Sequence, residues 1–482
     1  MKLFDLIKEK KDSKKAAIID RGISFTYAEL WDSVLEIKHY WDQIIYKKNV
    51  LIYLDNSYEF VLSYFAAVSV AKNVALASIK LSCKEILSLC SYLDIDVVIT
   101  DLAGQHLLCY DSSESNFSLL VVGKEKQNLI RKKEVTLFSE CNVILGSSGT
   151  SGTGKRVVLS EQAIVENANM HICEMKYGTN ERFLVCLPMC FGYCHTAQFI
   201  TSIIVGGTLI IERGPFLPQS FWRDCLQHQV STCTLVPTQI YMLLKTKKPE
   251  GVCTLKTICF GGAKIQKSSI LNFLDKYMDI DLVETYGMTE LGPRVSCLNL
   301  RKHPDKIGSV GKPMSKIKVK ITDKYWHEVK ANVPGEIWIY SPCRMKEYYK
   351  NPSETAKVFR NGWFKTGDIG FQDESGYLFI VGREKNIIIC GGINIYPEEY
   401  ENIINNFDGV DECIVYGKPD DLLGEHVAVD VVVNDNFCKD EFIKYCRCSF
   451  GQVKIFEINL VSKIPKTYNG KIKRAKHYYT LS

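Results

Sequence analysis

The sequence predicts an α/β protein, followed by a β-rich segment and then a small separate domain at the C-terminal side. Three observations carry this expectation. Short apolar runs alternate with helical stretches up to about residue 300. Short strands with turn signals dominate from about residue 305. A polar break, Gly382-Arg-Glu-Lys-Asn386, then precedes about a hundred residues with their own strand–helix pattern. The expected division is residues 1–381 as the main unit, with the β-rich part at about 305–381, then a junction at 382–386 and a last domain at 387–482. A chain of 482 residues is too long for one ordinary core, which fits such a division.

The elements follow in order. Phe25-Thr26-Tyr27-Ala28-Glu29-Leu30 starts a helix, with Thr26 as N-cap and Glu29 closing a capping box. Asn49–Leu54 is a buried strand, Glu59–Ala71 an apolar helix, and Asp96–Thr100 another strand. Val143–Leu145 and Val157–Leu159 are strands on either side of a polar loop. Arg182–Pro188 is a strand, and an apolar helix runs from His195 to Val205, ended by Gly206-Gly207. Thr208–Ile211, Thr232–Val236, Leu255–Phe260 and Asp281–Glu284 are strands, with a helix over Phe221–His228. In the β-rich part the strands are Ile317–Ile321, Gly335–Tyr340, Trp363–Thr366 and Tyr377–Val381.

Charge and composition exclude several classes. Sixty basic side chains against 55 acidic ones are too balanced for nucleic acid to be the main partner. The longest apolar runs, such as Phe60–Ala71, are too short and interrupted to span a bilayer. The amphipathic start, Met1-Lys-Leu-Phe-Asp-Leu-Ile-Lys, lacks the apolar core of a signal peptide. Nineteen cysteines, an odd number, lie scattered, many inside apolar strands (Cys141, Cys186, Cys259, Cys413). This usage fits reduced, buried thiols and a cytoplasmic location. Neither Cys190-Phe-Gly-Tyr-Cys194-His195 nor Cys446-Arg-Cys448 has the spacing of a haem-attachment or zinc site.

The loop between the strands at 143–145 and 157–159 is Gly146-Ser-Ser-Gly-Thr-Ser-Gly-Thr-Gly-Lys155. Small residues let backbone amides approach an anion, hydroxyls donate hydrogen bonds, and the lysine adds charge. A polyphosphate needs these groups. Gly149, Gly154 and Lys155 fit P-loop spacing, but Arg156 stands where a P-loop needs Ser or Thr, and a strand follows in place of a helix. A flexible Gly/Ser linker is the bland alternative. Linkers seldom sit between two buried strands and seldom end in Gly-Lys.

Four further motifs matter together. Thr285-Tyr286-Gly287-Met288-Thr289-Glu290 follows a strand and sets a carboxylate beside a hydroxyl, a pair suited to a magnesium–phosphate unit. Trp363-Phe-Lys-Thr366-Gly367-Asp368 places a carboxylate at a tight turn, where it could accept from a ribose diol. Gly382-Arg383-Glu384-Lys385 joins the two domains, and Lys466-Thr-Tyr-Asn-Gly470-Lys471 puts a lysine on a turn. That turn lies in a basic stretch, Lys454–Lys476, which reads either as a solvated face or as an anion-facing loop. Singly, each is usually just a turn.

Together and in this order, from about Phe25 to Arg474, these motifs resemble the adenylate-forming superfamily: acyl- and aryl-CoA synthetases, peptide-synthetase adenylation domains and luciferases. The resemblance implies a large N-terminal domain of two α/β layered subdomains plus a β-rich subdomain, with a small mobile α+β C-terminal domain. It implies that Ser147, Ser148, Gly149, Thr150, Ser151, Gly152 and Lys155 hold the ATP phosphates. Tyr286, with Gly287, would lie near adenine, Thr289 would reach phosphate, and Glu290 would bind Mg2+. Asp368 would hold the ribose hydroxyls, helped by Arg383. Lys385 matches the hinge position and Lys471 the catalytic lysine of adenylation. The substrate carboxylate attacks the α-phosphate, giving an acyl-adenylate and pyrophosphate. The small domain then rotates, and the Gly391-Gly392 region comes in to receive a thiol. Two departures stand out. The loop reads Ser151-Gly152-Thr153-Gly154-Lys155 where the family has Thr-Gly-x-Pro-Lys, and Glu347 replaces a glycine before Tyr348.

Substrate choice rests on Leu187-Pro-Met-Cys-Phe191-Gly192-Tyr193-Cys194-His195, with Gly261 and Gly262 at a nearby strand end. Amino-acid-activating relatives typically carry Phe-Asp where this chain has Phe191-Gly192, so a substrate ammonium lacks its usual partner. His195 could line the pocket, or could be a helix-start histidine with a structural partner. Gly391-Gly392-Ile-Asn-Ile-Tyr-Pro-Glu-Glu399 resembles the CoA-ligase form. The expectation is a stand-alone ligase that joins an acyl or aryl acid to CoA or to a carrier protein's phosphopantetheine. A stand-alone amino-acid adenylating enzyme that loads a carrier protein stays open, as does a member that only binds nucleotide. The presence of Lys471, Glu290 and Asp368 speaks against the last.

Overall fold

The computed structural model describes residues 2–46, 48–109, 117–122, 141–147, 155–251, 254–391, 393–450, 455–466, 472 and 474. Two large sheets dominate. The seven-stranded sheet runs in the order Glu347–Tyr348, Arg156–Ser160, Asn142–Gly146, Asn73–Leu76, Asn49–Tyr53, Val97–Thr100, Ser118–Val121. Its last five strands are parallel and its first three antiparallel. The nine-stranded sheet has a parallel centre: Asp281–Tyr286, Thr257–Gly261, Thr232–Leu235, Arg182–Val185, Thr208–Ile211 and Ala16–Asp20. Antiparallel strands flank that centre on both edges. The parallel strands are near-continuous apolar runs, as expected where helices cover both faces.

One cluster of buried side chains joins the two sheets. It takes Val50, Ile52, Val143 and Leu145 from one sheet and Phe183, Leu209, Cys259 and Val283 from the other. Between them lie the helices Tyr58–Val70 and Glu161–Met175 and the helical segment from Gly192 to Val205. The first of these is apolar on nearly every side and buried accordingly. It starts at Ser57, whose hydroxyl accepts the Phe60 N–H. Phe199 sits edge-on to Phe60, Tyr64 and Phe65, so this middle layer is an aromatic core. Truncating such a residue to Ala typically costs about 3–5 kcal/mol.

The expected helix Tyr27–Ile45 forms with its full capping box at Thr26 and Glu29. The helix expected at His195–Val205 begins earlier, at Gly192, and is wound as a wide π-type turn over His195–Ile200. Gly206 ends it in the left-handed conformation at φ +70°.

The β-rich part is an antiparallel sheet of Lys318–Thr322, Gly335–Tyr340, Trp363–Gln372, Phe359–Arg360 and Leu378–Arg383. Asp368 was expected at a tight turn. It lies instead inside the strand Trp363–Gln372, directly opposite Arg383, beside a register shift at Ile369/Gly370. Gly367, at φ +70°, supplies the local kink that the sequence pattern suggests as a turn. Gly382 likewise belongs to a strand, and the chain turns only at Glu384–Asn386.

Beyond that turn, a second five-stranded sheet and the helices Pro397–Ile404 and Lys439–Ser449 enclose their own cluster, centred on Ile404, Val415, Val429 and Phe442. Arg474 from the basic stretch is paired with the buried Glu401, and Lys466 with Glu412 at 2.8 Å. Part of that stretch is therefore structural. No described helix is long and apolar enough to cross a membrane.

Candidate active site

The strand Asp281–Tyr286 carries the site, because its last two side chains point to opposite faces. On one face the Tyr286 hydroxyl donates to Asp368 Oδ2 at 2.5 Å, and Arg383 Nε lies 2.6 Å from Asp368 Oδ1. The Asp368 amide donates to Thr366 Oγ1 at 3.0 Å, which fixes the carboxylate's backbone. Burial, followed by the adjacent Asp368 carboxylate, pushes the Tyr286 phenol far above its ordinary range, so it stays a donor. Asp368 is only 3% exposed, whereas Arg383 keeps about half its side chain in solvent.

The chain then folds tightly back on itself. A Cβ on Gly287 would lie 1.8 Å from the Pro293 carbonyl oxygen, so only glycine fits there. This return brings Glu290 to Tyr348, whose hydroxyl donates to Glu290 Oε1 at 3.0 Å. Tyr348 belongs to the edge strand paired with Arg156–Ser160, opposite Val157. Glu347, the departure from the family pattern, is an exposed residue on that edge and needs no glycine.

The glycine-rich loop is closed at its base by the Ser147 amide, which donates to the Lys155 carbonyl at 2.9 Å. Ser148, Gly149, Thr150, Ser151 and Gly152 lie outside the described residues. Lys155 Nζ lies 4.6 Å above the Tyr348 ring and 2.7 Å from Glu354. Its hydrogen bond, with that of Lys357, holds the Glu354 carboxyl down at about 2. The loop base and Glu290 therefore meet on one aromatic ring. Lys471 lies outside the described residues, as does Gly392, while Lys385 stands on the turn Glu384–Asn386.

On the opposite face of the strand, Thr285 Oγ1 donates to the Phe260 carbonyl at 2.8 Å. It accepts from Arg294 Nη1 at 2.8 Å and shares a 2.9 Å hydrogen bond with the Tyr193 hydroxyl. The Arg294 guanidinium stacks 4.2 Å over the Tyr193 ring. Gly261 closes this group, since a Cβ there would lie 2.9 Å from the Tyr193 hydroxyl and 2.3 Å from the Thr285 carbonyl. Gly262 is left-handed at φ +86°. Gly192 lies against Thr289 and Leu145, where an added Cβ would sit 3.4 and 3.5 Å away. Gly192 and Thr289 therefore lie against each other, while Gly261 lies beside Thr285 and Tyr193.

Phe191 caps the helical segment and packs half-buried on the core. His195 does not join the group around Thr285. It is fully buried and shares a 2.8 Å hydrogen bond with the Tyr64 hydroxyl, edge-on to Phe199. Burial holds its imidazole down at about 3, so it is a neutral core residue. The reason is helical phase. Two positions advance a helix by about 200°, so a segment that turns Tyr193 to the strand ends turns His195 away.

Sequence reasoning missed Tyr193, Thr285, Arg294 and Tyr348 as site residues. One signal was available: Arg294 is a lone charge in the otherwise apolar run Leu291-Gly-Pro-Arg-Val-Ser-Cys-Leu298.

The AMP-binding enzyme family profile matches residues 7–349, and the profile of the AMP-binding enzyme C-terminal domain matches residues 399–471. The 2-succinylbenzoate–CoA ligase of Listeria monocytogenes is 32% identical over 340 residues, covering 70% of this chain and 70% of that protein. In fold, the chain is similar to the o-succinylbenzoate coenzyme A synthetase of Bacillus subtilis solved with ATP and magnesium ion, with TM-score 0.84 at 22% identity over 98% of both chains. It is also similar to ATP-bound MatB from Rhodopseudomonas palustris, with TM-score 0.87 at 22% identity over 98% of this chain and 97% of that one.

Proposed function

The chain belongs to the AMP-binding enzyme family and is an AMP-forming acid–thiol ligase, and from that premise we propose which residues carry its two half-reactions. Asp368 accepts from the ribose diol, with Arg383 and Tyr286 holding its carboxylate in place. Tyr286 sets the adenine position, and the loop from Ser147 to Lys155 receives the phosphates. Lys155 reaches them by leaving Glu354. Both side chains of that pair are partly exposed, so solvent screens the pair and the exchange is easily made.

Glu290 suits Mg2+. It is a single carboxylate aimed by Tyr348, and magnesium near a polyphosphate needs only one or two protein carboxylates. When bound, the ion neutralises phosphate charge. Thr289 donates to the phosphate beside it. Lys471 completes the first half-reaction by meeting the charge that gathers around the α-phosphorus. The substrate carboxylate is the nucleophile, and pyrophosphate leaves.

Rotation about residues 382–386, with Lys385 on the turn, then exchanges Lys471 for the Gly391-Gly392 segment. The thiol of CoA, or of a carrier protein's phosphopantetheine, attacks the acyl-adenylate there. AMP leaves and the thioester forms. A substrate ammonium is disfavoured twice: Gly192 supplies no anion, and Arg294 places a cation close by.

The supporting observation is the convergence on one strand end. Lys155, Tyr348 and Glu290 meet there, next to Tyr286, Asp368 and Arg383. The test is ATP–pyrophosphate exchange over a panel of carboxylic acids, with mass spectrometry of products made with and without CoA. Acid-dependent exchange is expected, and it should be lost in Lys471→Ala. Purified protein that never exchanges pyrophosphate with any acid would overturn the reading.

A further inference from the structure

The buried charge of Arg294 is incompletely used. The residue is 1% exposed. Asn167 grips its backbone on both sides: the side-chain amide donates to the Arg294 carbonyl at 2.8 Å, and its oxygen accepts the Arg294 N–H at 3.1 Å. Tyr193 covers the guanidinium plane, and Thr285 takes Nη1. The remaining edge, Nε and Nη2, is solvent-inaccessible and makes no hydrogen bond among the described residues. A guanidinium so firmly placed, with its two-nitrogen fork empty, is preorganised for a planar acceptor.

The same molecule shows what that fork takes. In Arg213, Nε and Nη2 grip the two carboxylate oxygens of Asp20. Among the described residues, the titratable groups that act on Arg294 are Tyr193 and the thiols Cys259 and Cys297, and burial raises all three, so none of them is an anion that pairs with it. His171 also feels the Arg294 charge, and both of its ring nitrogens are without a hydrogen-bond partner among the described residues. An unpaired buried cation is costly, and that cost is recovered only when an anion arrives.

The position says which anion. Gly192 lies against Thr289, which the ligase reading sets beside the phosphate that the reacting carboxylate attacks, and the next residue, Tyr193, lies against Arg294. We propose that Arg294 binds a second carboxylate at the far end of the substrate, making this a ligase for dicarboxylic acids. The inference rests on the ligase reading given above and goes beyond it by naming the substrate class.

Matched acids in ATP–pyrophosphate exchange test this. Each set holds a dicarboxylic acid, its monomethyl ester, and the monocarboxylic acid with methyl in place of the second carboxylate, on aliphatic and on aromatic spacers. Wild type is expected to prefer the best diacid over its own ester by about 10²–10⁴-fold in kcat/KM, because the ester leaves the buried fork unpaired. Arg294→Leu is expected to erase or invert that preference, mainly through KM, while its Kd for ATP stays within about twofold. Arg294→Lys, which keeps the charge but not the fork, is expected to fall between them. Wild type that uses monoacids as well as diacids would overturn the proposal, as would a preference unchanged in Arg294→Leu. If Arg294→Leu does not fold, the wild-type ratio alone decides. No exchange with any acid overturns the ligase reading and this inference together, whereas exchange indifferent to the second carboxylate overturns only this one.

Discussion

Thr285 and Tyr286 are neighbours on one strand, yet they face two very different environments. On the Tyr286 face, the groups that meet at Asp368 are paired before any ligand arrives: a phenol and a guanidinium share one carboxylate. On the Thr285 face, a guanidinium equally well fixed has its Nε and Nη2 donors unused among the described residues. The first arrangement can bind a part common to all ATP molecules without being completed by it. The second is completed only by what the substrate brings. A two-step ligase needs this asymmetry, because its nucleotide is constant and its acid is the variable.

The largest effect is expected at Asp368. Asp368→Ala removes the acceptor for the ribose and leaves Tyr286 and Arg383 without their shared carboxylate. A loss of about 10³-fold in kcat/KM for ATP, about 4 kcal/mol, is expected in pyrophosphate exchange, with acid selectivity unchanged. A loss under tenfold would mean that the paired face is structural rather than nucleotide-binding, and the contrast between the two faces would fail.

Next comes a buried carboxylate on the same strand as Thr285 and Tyr286. Glu284 shares the Tyr286 face, and burial, only partly offset by Lys264, raises its carboxyl to about 7. Its unfolded value lies near 4.3. Because the folded value is the higher, the neutral form favours the fold. That contribution is complete below about pH 4.3 and is lost as pH rises through about 7. Glu284→Gln should therefore come close to wild type near pH 4.5 and become the more stable protein by about 3.5 kcal/mol at pH 8, measured by urea unfolding. A constant difference across that range would show that Glu284 is paired, as Asp368 is.

His195 sharpens the comparison from the other direction. It was a candidate pocket residue, yet the structure gives it to Tyr64 and Phe199. His195→Ala should cost about 2 kcal/mol of stability, through a small cavity and an orphaned Tyr64 hydroxyl. Substrate ranking should not move. A changed ranking at unchanged stability would return His195 to the pocket.

These cases show what was legible in the chain. Local signals were read correctly: the Thr26–Glu29 capping box, the Gly206 stop, and the paired strands at 142–146 and 156–160 around the glycine loop. The motif residues Glu290, Asp368 and Arg383 could be singled out as candidates, because each sits in a short run with its own chemistry. Asp368 was taken for a turn residue because Gly367 kinks a continuous strand, which a glycine beside a carboxylate also suggests. Arg294 escaped because its meaning lies in partners 101, 9 and 127 positions away, at Tyr193, Thr285 and Asn167. No local pattern encodes an empty fork.

The smallest expected effect concerns Tyr348, the ring on which Lys155 and Glu290 meet. Tyr348→Phe keeps that ring, and with it the edge strand and the stacking of Lys155. It removes only the hydroxyl that aims Glu290. If Glu290 works through Mg2+, the carboxylate is still present but less well held. The Mg2+ concentration giving half-maximal exchange should then rise about tenfold, about 1.4 kcal/mol, while the rate at saturating Mg2+ recovers most of its wild-type value. Glu290→Gln should not recover at any Mg2+ concentration, because the charge itself is gone. A Tyr348→Phe enzyme that is slow at all Mg2+ concentrations would instead place the hydroxyl among the groups that touch phosphate. The paired face would then contain a donor that waits for ligand, as Arg294 does on the other side of the strand.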